Sequence, residues 1–141
     1  MTTMRDELKN RCEKIEECYE FMLAYAAQGL RTEPGGGGSQ VRTLLTRCDQ
    51  ALDGLGDVLA AIVRSEQLEP ADKYDAFIAM LNRDASDARA AVGLVLAQPS
   101  ISSQLIDNLN ASIHLRALLT DLFLIDEIVR AEPVGTIPLV E

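Results

Sequence analysis

Residues 41–66 read VRTLLTRCDQALDGLGDVLAAIVRSE, and this stretch decides the fold class. Val41, Leu45, Cys48, Leu52, Leu55, Leu59 and Ile62 recur at alternating spacings of four and three. That alternation lays one apolar seam along a helix, the a/d pattern by which helices pack nearly parallel or antiparallel. The spacing predicts one long helix over 40–66, with Ser39 as its N-cap. Gly54 and Gly56 lie inside it and each costs about 1 kcal/mol relative to Ala. Both are expected to let a neighbouring backbone approach closely.

Working outward, the same period appears on both sides. Upstream, Leu8, Cys12, Ile15, Tyr19, Met22, Ala26 and Leu30 form a stripe over a helix at 3–30. Thr3 and Asp6 supply an N-terminal capping signal, and Gly29 suits the stop. The opposite face carries Glu13, Glu16, Glu17 and Glu20 among Lys9, Arg11 and Lys14, which reads as a solvated face laced by short-range charge pairs.

Downstream, Tyr74, Phe77, Leu81, Ala85, Ala88, Val92 and Val95 predict a helix over 70–97, with Pro70 at its first position. The polar run NRDASDA at 82–88 could kink it by recapping at Asp84 or Asp87. A fourth helix is expected over 101–131, capped by a serine of the run PSISS. Four rods with short connections predict an all-α, up-down-up-down antiparallel four-helix bundle over 1–132. Residues 133–141, EPVGTIPLVE less its first residue, hold Pro133, Pro138 and Gly135 and cannot continue a helix. They predict an extended apolar tail.

Between the first two helices, the loop 32–39 contains GGGGS at 35–39. A phosphate-cradling loop needs a lysine and a preceding strand, and this one has neither. It reads as a mobile joint, and its likeness to the spacer used in design also admits an engineered origin.

Composition excludes several function classes. The chain of 141 residues is 48% hydrophobic and 25% charged, as folded domains are, and its formal charge is −9. Scattered basic residues on an acidic chain argue against nucleic acid and anionic membranes as partners. The charged N-terminus lacks the apolar core of a secretion signal, and Cys12, Cys18 and Cys48 do not fit a disulfide framework, so a cytoplasmic location is expected.

No catalytic constellation is legible, and no enzyme activity or cofactor is expected. The only histidine, His114, has Ala111 rather than Glu three residues before it, against the Glu-x-x-His of ferritin-like di-metal bundles. No C-x-x-C occurs, and Cys12 or Cys18 beside His114 would lack an orienting group.

What stands out is apolar excess. Leu115, Leu118, Leu119, Leu122, Phe123, Leu124, Ile125, Ile128 and Val129 cover more than the single stripe a small bundle needs. Asp121 and Asp126 interrupt this run, and are expected to face outward, to pair with Arg116 and Arg130, or to sit at a subunit contact. Phe21 and Tyr25 of the segment CYEFMLAYAAQGL are expected near the edge of the first stripe, where aromatics serve interfaces.

The sequence therefore predicts a non-enzymatic accessory protein that self-associates, as a homodimer or higher homo-oligomer, and docks onto a protein partner. The contact residues expected are Phe21, Tyr25, Leu115, Leu119, Leu122, Phe123 and Ile125, with Val134, Ile137 and Leu139 of the tail. The alternatives are a small-molecule sensor or carrier, with a pocket near Tyr19, Tyr25 and His114, and a ferritin-like metal protein.

Overall fold

A computed structural model describes residues 3–35 and 39–130, apart from the side chain of residue 130. It is all-helical, with six α-helices and no strand among the described residues. They are α1 (Met4–Ala27), α2 (Gln40–Leu52), α3 (Leu55–Ser65), α4 (Ala71–Leu96), α5 (Ser103–Ala111) and α6 (Ile113–Arg130). The expected tail, residues 133–141, lies outside the described residues.

Two of the four expected rods are each divided. The helix expected over 40–66 breaks at Asp53–Gly54, because Gly54 adopts a left-handed conformation (φ 74°) that glycine alone enters at little cost. The seam nonetheless continues across the break, and Leu52, Leu55, Leu59 and Ile62 are all buried. The helix expected over 101–131 breaks at Ser112, whose extended backbone ends α5 and whose hydroxyl accepts from Leu115 N at 3.3 Å to start α6. Conversely, α4 runs unbroken through the polar stretch at 82–88, where recapping could have kinked it.

The two glycines of the α2–α3 region differ. Nothing lies within 4 Å of a Cβ built on Gly54, so its role is conformational and the expected close approach is absent there. A Cβ on Gly56 would collide with Asn82 Oδ1, so α4 does come close at that point, through a side chain rather than the backbone.

Capping follows chemistry visible in the sequence. Thr3 Oγ1 accepts from Asp6 N at 3.0 Å, and Asp6 Oδ2 accepts from Thr3 N at 3.2 Å, a reciprocal capping box. Ser102 caps α5 by accepting from Leu105 N at 3.0 Å. Pro70 precedes α4 rather than opening it.

α1 packs on α2, α3 and α5, and α4 packs on α2, α3, α5 and α6. One apolar core runs between them, including Ile15, Met22, Leu45, Leu59, Ile62, Leu81, Ile106 and Leu118. Cys12, Cys18 and Cys48 are all buried in it. Cys18 faces Cys48 across the α1–α2 contact. The hydrogen bond to Cys48 and burial together push the Cys18 thiol far above its ordinary range.

At one end of the molecule a polar brace joins the α1–α2 and α4–α5 links. Arg42 Nε donates to Glu33 Oε2 at 2.8 Å, while its other nitrogens donate to Leu96 O and Gln98 O at 2.8 and 2.6 Å. A cation therefore sits on the carbonyls that end α4, where the helix dipole favours it. Ser103, buried, donates to Tyr25 O at 2.6 Å and accepts from Leu30 N at 2.8 Å. At the other end Arg5 donates to Glu66 at 2.6 Å and to Val129 O, and between the two ends, along the α2–α4 contact, Arg89 bridges Asp49 and Asp53 at 2.9 and 3.2 Å.

Candidate functional site

The helix α6 carries two apolar seams. Leu115, Leu118, Leu122, Ile125 and Val129 alternate at three and four residues and are buried against the rest of the molecule. Ile113, Ala117, Thr120, Leu124 and Ile128 form a second line on the outward side, with Phe123 beside it. Of these, Ile113 is 74% exposed, Phe123 56%, Leu124 51% and Ile128 45%. Such a cluster on one helix differs from the scattered exposed side chains that any surface has.

The expected contact residues divide accordingly. Phe123 lies on the outer face. Leu115, Leu119, Leu122 and Ile125 are instead buried in the chain's own core, with Leu115, Leu122 and Ile125 on the inner seam and Leu119 beside it. Tyr25 is also corrected. Its ring is buried and stacks on Phe21 with centroids 5.9 Å apart, and its hydroxyl donates to Ile101 O at 2.6 Å. Burial, reinforced by Glu33, raises the Tyr25 pKa. Phe21 is half-buried against the same core, and Val134, Ile137 and Leu139 lie outside the described residues.

Asp121 departs most from expectation. It is neither outward nor paired with Arg116. It is 6% exposed, and it faces Asp84 of α4 across the α4–α6 contact. Burial first, then the hydrogen bond and charge of Asp84, push its pKa up to about 7. Its Oδ2 is buried with no hydrogen-bond partner.

The two carboxyls line a cavity of about 590 Å³ between α4 and α6. Its remaining wall is Met80, Ala111, Ile113, Arg116, Ala117 and Thr120. A second cavity, about 450 Å³, lies on the other side of Arg116 and Thr120 and reaches Tyr19 and Asn110. The Oδ1 of Asn110 is also buried without a partner. Nothing in the α6 period distinguishes Asp121 from an outward acid. The signal that could have found the pair is the coincidence of two acids each one position from a seam residue, Asp84 beside Ala85 and Asp121 beside Leu122.

Among the described residues no group of three metal-ligating side chains occurs, and no helix is long and apolar enough to cross a membrane. No known family matches the sequence, and no curated protein or solved structure shows significant similarity to it.

Proposed function

We propose that the protein is a non-enzymatic helical accessory protein that self-associates through the outer seam of α6 and docks onto a protein partner. In this reading α2–α3 and α5–α6 each count as one bent rod, giving four rods in up-down-up-down order. The observation that carries it is the second seam. Ile113, Leu124 and Ile128 repeat at coiled-coil-like intervals on a helix whose opposite side is already buried. Its occupant is a second copy of the chain, because a line of this kind is self-complementary about a two-fold axis. Phe123 at its border would be covered in the same contact. The setting proposed is the cytoplasm.

Light scattering during size exclusion tests this. The full chain should run at twice its monomer mass at tens of micromolar. The double variant Leu124→Asp with Ile128→Asp should run as a monomer with unchanged helical circular dichroism. A wild-type chain that stays monomeric at hundreds of micromolar overturns the reading.

A further inference from the structure

Two carboxyls held together in a partly apolar cavity are an unusual investment for an acidic chain. Ionising both places like charges side by side, and ionising Asp121 in particular leaves a buried, unpartnered oxygen. The nearest cation on the cavity wall, Arg116, is exposed and forms no ion pair among the described residues. The buried oxygen thus lacks a donor, and its residue lines a space large enough to admit one.

The wall defines what that donor is. Met80, Ile113, Ala111 and Ala117 offer apolar surface leading to the carboxyls, and Thr120 adds a hydroxyl. A bare metal ion would find only two carboxylates and little else to complete its oxygen shell. An ammonium group on an aliphatic stem suits both parts, with its three N–H donors spread over Asp84 and Asp121 and its methylenes on the apolar wall. We propose that the α4–α6 cavity binds a primary ammonium carried on a short aliphatic chain, with Asp84 and Asp121 as its two carboxylate acceptors. Ile113, Ala117 and Thr120 belong both to this wall and to the outer line of α6, so amine binding is tested on the monomeric variant as well as on the full chain.

The test is a carbon-detected NMR titration of side-chain carboxyls, on the full chain and on the Leu124→Asp, Ile128→Asp variant, with n-butylammonium as the probe. Saturable shifts are expected at the Asp84 and Asp121 carboxyls and at the Met80 and Ile113 methyls. The Asp121 titration midpoint should fall by about one pH unit or more as the cation settles beside it. Asp121→Asn should weaken the affinity by at least about tenfold, whereas Arg116→Ala should leave it equal or tighter by removing a competing cation.

n-Butanol should produce no saturable shift, and sodium chloride at equal ionic strength should not reproduce the effect. Nα-acetyl-lysine methylamide, run in parallel, tells a free amine from a partner's lysine side chain by which probe binds more tightly. Absence of saturation at Asp121, equal shifts with sodium, or loss of amine binding in Arg116→Ala each overturns the proposal.

Discussion

The carboxylate of Glu33 and the guanidinium of Arg42 meet at 2.8 Å across the glycine segment that joins α1 to α2. Glu33 also accepts from Ile101 N at 3.2 Å, so one acid ties both links at this end of the molecule. The Arg42 hydrogen bond, with a further one from Ser39, holds the Glu33 carboxyl below its usual range. A depressed carboxylate contributes stability above its unfolded pKa, and loses it as pH falls through the folded value. Arg42→Ala should cost about 1–3 kcal/mol in urea unfolding, since it also strips donors from Leu96 O and Gln98 O. The loss should shrink in acid, when Glu33 is protonated.

Asp121 titrates in the opposite sense. Its folded pKa of about 7 lies above the ordinary value of 3.8. Its contribution to stability is therefore fully present below the unfolded pKa and falls away as pH rises toward 7. Asp121→Asn removes the cost of ionisation and keeps a donor for Asp84. Unfolding measured from pH 4 to pH 8 should show the variant gaining on the wild type by up to a few kcal/mol as pH rises.

Tyr25→Phe deletes the buried hydroxyl that bonds Ile101 O, leaving that carbonyl without its donor. It should cost about 1–2 kcal/mol in urea unfolding with the fold retained. Spectrophotometric titration of the wild type should show one tyrosine ionising above the ordinary range.

The α2–α3 glycines should answer differently to alanine. Gly54→Ala places a side chain at φ 74° and should lower stability by about 1 kcal/mol. Gly56→Ala confronts only the Asn82 side chain, which is exposed and can rotate away. Within a helix, losing a glycine is favourable, so Gly56→Ala with Asn82→Ala should raise stability by about 1 kcal/mol. Thermal melts of the two variants should move in opposite directions.

Ellman's reagent should find the thiols silent in the native chain and release all three on unfolding. Cys12, Cys18 and Cys48 are buried, and Cys18 is held firmly in its thiol form. Prompt native-state reaction at Cys18 would contradict its packing against Cys48.

Helical class, the starts of most helices and the inner seams of α1 to α4 were legible because each rests on local period or capping chemistry, as at Thr3, Ser102 and the run Val41–Ile62. The breaks at Gly54 and Ser112 were harder to read, since the apolar period continues through both. Which side of a doubly apolar helix turns inward depends on its neighbours, so Leu115, Leu122 and Ile125 could not be told from Leu124 and Ile128 by spacing. The Asp84–Asp121 pair is a tertiary meeting of residues from different helices, and neither acid announces it alone.

The brace at the α1–α2 end has a kinetic consequence. Tyr25 bonds Ile101, Leu30 bonds Ser103 and Arg42 bonds Leu96 and Gln98, partners 76, 73, 54 and 56 positions apart. Local helices can form at once, but this end closes only when the chain has returned on itself with α5 alongside α1. Folding should thus end with the docking of α5, and lesions in the brace should slow folding less than they speed unfolding.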